Sequence, residues 1–318
     1  MVPAAFSALT WVKDFEEGKR LAAESGKDLL VDFTGSDWCH WCVKLKEEVF
    51  EKEGFEKVAE RYVLVELDFP QAEELVTPEQ RAANEKVAEE YRVQGFPTIL
   101  LVDSKGRPFG RTGYVEGGPE AYLEHLDELQ APWMALKGAK GEGRVEALAT
   151  FLRSVPGADV GQYYGEEVDE LRMLDPNDET GYMQDYDFAK AVFEYEQAFE
   201  AKMRGGDYDG VLTLVDEFVA EHDPQGEDRQ HILMARVMVY VERKEKEKAY
   251  AELDAIAEVK PGSDFGQNVE SIKEDIGNYL KQREQMEKEI EAMEAAEAAE
   301  QEPVGGEVEV PESEVSEE

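Results

Sequence analysis

Residues 38–42 read Trp-Cys-His-Trp-Cys and contain both cysteines of the 318-residue chain. The apolar run Leu-Leu-Val-Asp-Phe-Thr lies just upstream at residues 29–34, and a helical pattern follows the cysteines. Two cysteines at this spacing serve as a redox couple, as half of a metal site, or as core thiols that happen to lie close together. The residues around them decide among the three.

Cys39 and Cys42 are expected at the start of a helix that directly follows a buried strand. There the first thiol lies over unpaired helix N–H groups and the positive end of the helix dipole, which favour the thiolate. The second thiol lies one turn further in and is sheltered. We therefore expect Cys39 to attack a substrate disulfide and Cys42 to resolve the mixed disulfide.

A metal site at these cysteines would need about four ligands. Cys39, His40 and Cys42 supply three candidates. The remaining histidines are distant in the sequence and lack ligand spacing: His125, His222 and His231. The sequence therefore predicts no metal at this site.

Residues 1–137 alternate between helical and strand-like patterns. Helices are predicted over residues 11–25, from the cysteines to about 62, over 78–91 and over 118–130, and strands over 29–34, 63–68, 98–102 and 108–114. This order predicts an α/β domain whose mixed sheet begins parallel, ends in an antiparallel hairpin and carries helices on both faces.

Strand signals cease beyond about residue 132. Residues 138–144 are glycine-rich and predict a linker, and residues 145–280 predict an all-α region. Within it, apolar and small residues recur at offsets that resemble the second helix of a tetratricopeptide (TPR) repeat: Val211, Val215, Phe218, and again Ala249, Leu253, Ile256. Residues 281–300 predict a charged helix, and 301–318 a disordered acidic tail.

The formal charge of the chain is −40, from 74 acidic and 34 basic residues. Such a surface repels nucleic acid and anionic lipid, which are bound through Lys and Arg. No apolar run approaches the ~18 residues of a membrane span. The location is expected to be periplasmic or secreted if residues 2–8 are the remnant of a signal peptide, and cytoplasmic otherwise; the oligomeric state stays open.

Three segments together resemble the thioredoxin superfamily: Asp32-Phe33, the motif at 38–42, and Gly95-Phe96-Pro97-Thr98. In particular they resemble bacterial thioredoxin-like domains that carry F-T-G-S-D-W-C-x-W-C, relatives of the disulfide-reductase domain of the membrane thiol transporter. The resemblance covers residues 10–130 and leaves the helical half unexplained.

The resemblance implies roles for individual residues. It implies that Pro97 is cis and lies against the cysteine pair, and that the backbone of Phe96 pairs with an extended substrate. It implies that Asp32 is the buried acid that takes the proton of Cys42, with a raised pKa. The alternative is that Asp32 points to water at the end of its strand.

The flanking residues complete the predicted substrate-binding site. Trp38 is expected to form one wall of the peptide groove, or else to pack only on the helix start. His40 is expected to stabilise the Cys39 thiolate, and Trp41 to press on Cys42 or cover the site. The backbone at Gly95 and Thr98 belongs to the same predicted groove.

These observations predict a thiol–disulfide oxidoreductase that reduces protein disulfides through Cys39 and Cys42. No cofactor beyond this dithiol is expected, and because no third cysteine exists, electrons would come from a separate redox protein. The alternative is an interaction protein whose helical half binds a partner and whose thioredoxin-like domain is a docking surface.

Overall fold

The computed structural model describes residues 9–300, with side chains through residue 295. These residues divide into two compact units, one ending at Ala189 and the other beginning at Lys190. The predicted acidic tail (301–318) and signal remnant (2–8) lie outside the described residues. Among the helices of residues 9–300, none is both long enough and apolar enough to cross a membrane.

A five-stranded mixed sheet forms the centre of the first unit. Its strands are β1 (Trp11–Val12), β2 (Asp28–Thr34), β3 (Tyr62–Asp68), β4 (Thr98–Val102) and β5 (Pro108–Thr112). The order is β1-β3-β2-β4-β5, in which β1, β3 and β2 are parallel and β4 and β5 are antiparallel to their neighbours. Every residue of the central strand β2 is buried, as its continuous apolar run predicts.

Five helices accompany the sheet: α1 (Phe15–Ser25), α2 (His40–Leu45), α3 (Val58–Arg61), α4 (Pro78–Glu90) and α5 (Gly118–Gly138). The predicted α/β class with a terminal hairpin is therefore confirmed. Trp11 lies in β1 rather than in the predicted first helix, because helix α1 begins only after Asp14, whose carboxylate accepts a hydrogen bond from the Glu17 N–H at 2.7 Å.

Three further helices belong to the first unit: α6 (Gly143–Ser154), α7 (Gly157–Tyr163) and α8 (Gly165–Leu174). The Phe151 ring of α6 packs between the rings of Trp133 and Tyr164, at centroid distances of 5.4 and 4.9 Å. The Tyr164 hydroxyl donates a hydrogen bond to the backbone oxygen of Pro108, the first residue of β5. The segment that joins α5 to α6 therefore connects helices of one core.

The predicted linker at 138–144 thus does not separate the two compact units. A buried cluster continues from the sheet through α5 into α6, α7 and α8, and the division falls at residue 190. The glycines at 138 and 143 end one helix and begin the next. The predicted all-α region at 145–280 is therefore shared between the two units.

The long helix α9 (Tyr182–Arg204) crosses from the first unit into the second, which continues with α10 (Tyr208–His222), α11 (Gly226–Glu242), α12 (Lys246–Val259) and α13 (Asp264–Glu300). Consecutive helices from α10 to α13 contact one another, an arrangement compatible with TPR-like hairpins. Five of the residues at the predicted TPR-like positions are fully buried: Val211, Val215, Ala249, Leu253 and Ile256. The charged segment at 281–300 is the continuation of α13.

Candidate functional site

Cys39 is the N-cap residue of α2, and its extended backbone (φ −84°, ψ 103°) leads from the loop after β2 into the helix. Its Sγ accepts a hydrogen bond from the Cys42 backbone N–H at 3.2 Å. An N-terminal N–H of a helix has no partner within the helix, so it is available to a sulfur that carries negative charge. The local structure therefore favours a thiolate at Cys39 when the pair is reduced.

Cys39 and Cys42 form a disulfide with a Cα–Cα distance of 5.2 Å. Both residues are buried, with 6% and 4% of their surface exposed. Within residues 9–300 no group of three or more His, Cys, Asp and Glu residues is arranged to hold a metal ion. The arrangement suits reversible opening and closing of one disulfide.

The loop before the cysteines is hydrogen-bonded to the last residue of β3 and to the segment that follows it. The Asp68 carboxylate accepts hydrogen bonds from the backbone N–H and the hydroxyl of Ser36, at 2.9 and 2.6 Å. The Asp37 carboxylate accepts from the backbone N–H groups of Gln71 and Ala72, at 2.9 and 2.8 Å. These four bonds fix the approach to Cys39, and they are not predictable from the sequence because they join residues more than thirty positions apart.

Trp38 lies at the edge of an aromatic cluster with Phe69 and Phe96. Its indole N–H donates to the Phe69 backbone oxygen at 2.8 Å, and its ring meets that of Phe96 edge to face at 5.6 Å. The ring stays 45% exposed, so it packs on this cluster and still presents a surface to solvent. A Cβ at Gly35 would lie 2.5 Å from the indole, so any larger residue at this position would displace the Trp38 ring.

The segment Gly95-Phe96-Pro97-Thr98 carries a cis Phe96–Pro97 peptide bond directly before β4. The Thr98 hydroxyl donates to the Gly95 backbone oxygen at 2.7 Å and braces the turn. The Phe96 ring lies 5.1 Å from Phe69, so the turn and the Trp38 side chain meet on one aromatic surface.

Between the two cysteines, His40 and Trp41 are exposed. The Trp41 ring, 50% exposed, lies 5.3 Å from that of Tyr114. The Lys44 ammonium lies over both rings, 5.1 Å from Trp41 and 4.8 Å from Tyr114. Trp41 thus packs along the helix surface towards Tyr114, a contact that the sequence did not predict.

Asp32 is buried in β2 with 5% of its surface exposed, and its Oδ1 has no hydrogen-bond partner among the described residues. The interpretation that it points to water is therefore wrong. Burial raises the pKa of this carboxyl well above its ordinary value, and the nearby Glu66 and Asp68 carboxylates raise it further. Asp32 and Cys42 line the same cavity, of about 280 Å³.

The comparisons with known proteins agree with this architecture. Residues 15–130 match the model of a thioredoxin-like domain. The disulfide bond reductase DsbH of Chlamydia pneumoniae is 34% identical over 125 residues, which cover 39% of this chain and 74% of that protein. The thiol:disulfide interchange protein DsbD of Actinobacillus pleuropneumoniae serotype 5b (strain L20) is 29% identical over 128 residues, 39% of this chain and 20% of that protein.

Among solved structures, that of a DsbH oxidoreductase is 31% identical in sequence. The match covers 41% of this chain and 90% of the DsbH chain, with a TM-score of 0.39. The sequence matches and the Cys39–Cys42 pair define a thiol–disulfide oxidoreductase. The chain belongs to the thioredoxin superfamily, with residues 15–130 as its thioredoxin-like domain.

Proposed function

We propose that the protein reduces disulfide bonds in protein substrates. The observation that carries this proposal is the position of Cys39: its Sγ accepts from an N-terminal helix N–H and is bonded to Cys42 within the same turn. The direction of electron flow is supported by the similarity to a protein named as a disulfide bond reductase.

In the proposed reaction the Cys39 thiolate attacks one sulfur of the substrate disulfide. The other substrate sulfur leaves as a thiolate, and a mixed disulfide joins Cys39 to the substrate. The Cys42 thiol then passes its proton to the Asp32 carboxylate, and its thiolate attacks the Cys39 sulfur. The second substrate thiolate is released, so that the substrate gains two electrons and the Cys39–Cys42 disulfide forms.

The dithiol would return to its reduced form through a separate protein. Both cysteines of the chain are already in one disulfide, so the chain holds no third thiol that would supply electrons. We therefore propose an external redox partner, and no cofactor other than the dithiol itself.

Substrate polypeptides are proposed to bind at the aromatic surface around the disulfide. Trp38 packs against Phe96, and Trp41 packs against Tyr114. The exposed rings offer apolar contacts to an extended chain, and the backbone at Gly95, Phe96 and Thr98 beside the cis proline would pair with it.

Insulin reduction in the presence of dithiothreitol tests the proposal. The wild-type protein should accelerate the reaction, and Cys39→Ala should reduce it to the rate of dithiothreitol alone. Cys42→Ala should accumulate a mixed disulfide, because attack is preserved and resolution is lost. Glu47→Ala, a change at an exposed residue two positions after the end of α2, is the control and should retain wild-type activity. Equal rates for wild type and Cys39→Ala would contradict the proposal.

A further inference from the structure

The cavity that contains Asp32 and Cys42 is also lined by the carboxylates of Glu66 and Glu51. Its lining includes Asp32 of β2, Glu66 of β3 and Cys42 of α2, together with Lys46 and Glu51, which follow α2. Among these, Asp32 presents a buried oxygen without a hydrogen-bond partner in the described part of the chain. The environment of this oxygen therefore determines how readily Asp32 takes a proton.

Asp32 and Glu66 are direct neighbours in the sheet. They are register partners on the parallel strands β2 and β3, so their side chains leave the sheet on the same face. Neighbouring strands lie about 4.8 Å apart. No other carboxylate occupies a register position opposite Asp32 in the described sheet, where its partner on β4 is Ile99.

Glu66, the neighbour of Asp32, forms an ion pair with a cation at the surface. The Lys13 ammonium donates a hydrogen bond to the Glu66 carboxylate. The Glu66 side chain is 19% exposed and that of Lys13 is 56% exposed. Glu66 therefore lies between the buried Asp32 carboxyl and a cation that reaches solvent.

Several charged or titratable groups face Asp32 from the elements packed against it: Glu66 and Asp68 from β3, Lys13 after β1, Lys46 after α2, Cys42 from α2, and Tyr122 from α5. Glu66 and Asp68 raise the pKa of Asp32, whereas Lys13 and Lys46 lower it. Asp68 is held by its two hydrogen bonds from Ser36. Glu66 and Glu51 both line the cavity with Asp32, and of these two Glu66 is the one placed beside Asp32 by the strand register.

We propose that Glu66, held by Lys13, is a positioning residue that sets the pH at which Asp32 exchanges a proton with Cys42. A charged Glu66 beside Asp32 keeps the Asp32 carboxyl protonated to a higher pH, because two neighbouring carboxylates repel each other. Lys13 limits this effect by attracting both carboxylates. This inference rests on the role of Asp32 in the proposed function.

The first test measures Asp32 directly, by the pH dependence of its carboxyl 13C NMR shift in the oxidised full-length protein. Glu66→Gln should lower the titration midpoint of Asp32 by about one pH unit. Glu66→Asp should keep the midpoint above that of the Gln variant, and Lys13→Met should raise it above wild type. Glu60→Gln, which removes one exposed charge outside the cavity, should leave the midpoint unchanged. An unchanged midpoint in Glu66→Gln, or a lowered one in Lys13→Met, would overturn the proposal.

The second test is the pH profile of single-turnover reduction of an insulin disulfide by the reduced protein. Glu66→Gln should shift the acidic limb of the profile to lower pH by the same amount as the NMR midpoint, with the plateau rate unchanged. A shifted midpoint with an unshifted profile would overturn the positioning role. Complete inactivity of the wild type at every pH would instead refute the proposed function, while the NMR titration would still decide whether Glu66 controls Asp32.

Discussion

The Asp32→Asn substitution should change how the free energy of unfolding depends on pH, because burial raises the pKa of the Asp32 carboxyl in the folded protein. In an unfolded chain an Asp carboxyl titrates near pH 3.9. In the folded protein its pKa is raised well above this, because it is desolvated and faces Glu66 and Asp68. The folded protein therefore binds a proton that the unfolded chain has released. Stability linked to this group is fully present below about pH 4 and is lost as the pH rises towards the folded pKa.

The size of the effect follows from proton linkage. Between the unfolded and folded pKa values, the free energy of unfolding falls by about 1.4 kcal/mol for each pH unit. The asparagine side chain of the Asp32→Asn variant does not titrate, so this loss is absent. As the pH rises from the unfolded pKa towards the folded pKa, the stability of Asp32→Asn relative to wild type should therefore rise by about 1.4 kcal/mol for each pH unit between the two values. A constant packing difference between the two side chains cancels in this comparison.

Urea unfolding followed by tryptophan fluorescence measures this difference. The four tryptophans, at 11, 38, 41 and 133, all lie in the first compact unit, so the signal reports that unit. Asp37→Asn is the matched control. The pKa of the Asp37 carboxyl is lowered by backbone N–H groups of Ala72 and Gln71, so its stabilising effect is present above the unfolded pKa and stays constant between pH 5 and 6. A pH-independent difference between wild type and Asp32→Asn would refute the reasoning.

Further predictions concern the extent of the first unit and its aromatic surface. A fragment of residues 1–189 should give the cooperative fluorescence transition of the full chain, whereas residues 1–137 should unfold at lower urea because the Phe151 and Tyr164 contacts are lost. Phe151→Ala should destabilise the first unit by about 3–5 kcal/mol in the same assay. Trp41→Ala should slow reduction of insulin more than reduction of a small aromatic disulfide reagent, because only the polypeptide reaches the surface beyond the cysteines.

Each of these predictions has a contrary outcome. Equal urea midpoints for the fragments 1–137 and 1–189 would place the C-terminal boundary of the first unit in the glycine-rich segment at residues 138–144. A loss below ~1 kcal/mol for Phe151→Ala would mean that α6 contributes little to the core. Equal slowing of insulin and of the small reagent by Trp41→Ala would assign this side chain to the dithiol chemistry and not to substrate binding.

The elements around the disulfide were predictable because their signals are local. A continuous apolar run marks β2, and the capping position of Cys39 follows from a helical pattern that starts directly after it. The segment around Pro97 is recognisable from consecutive residues. Local signals of this kind lie within one strand or one turn and do not depend on what packs against them.

The missed features depend on residues that are distant in the sequence. β1 has two residues and exists through its pairing with β3, so the apolar spacing of Trp11 and Phe15 predicts a helix where Trp11 forms a strand. The bounds of the short helices α7 and α8 do not follow from the predicted all-α region, because these helices are stabilised by packing in the core of the first unit. The position of Glu66 beside Asp32 requires the strand register, which the sequence of either strand alone does not reveal.

The reduction potential of the Cys39–Cys42 pair tests the central claim most directly. The protein is equilibrated in buffers of defined glutathione or dithiothreitol ratio, and the reduced fraction is counted by thiol alkylation and mass spectrometry. A reductase of protein disulfides should have a potential near that of thioredoxin, about −270 mV. A potential near those of oxidising and isomerising proteins, about −120 to −180 mV, would contradict the proposed direction of electron flow.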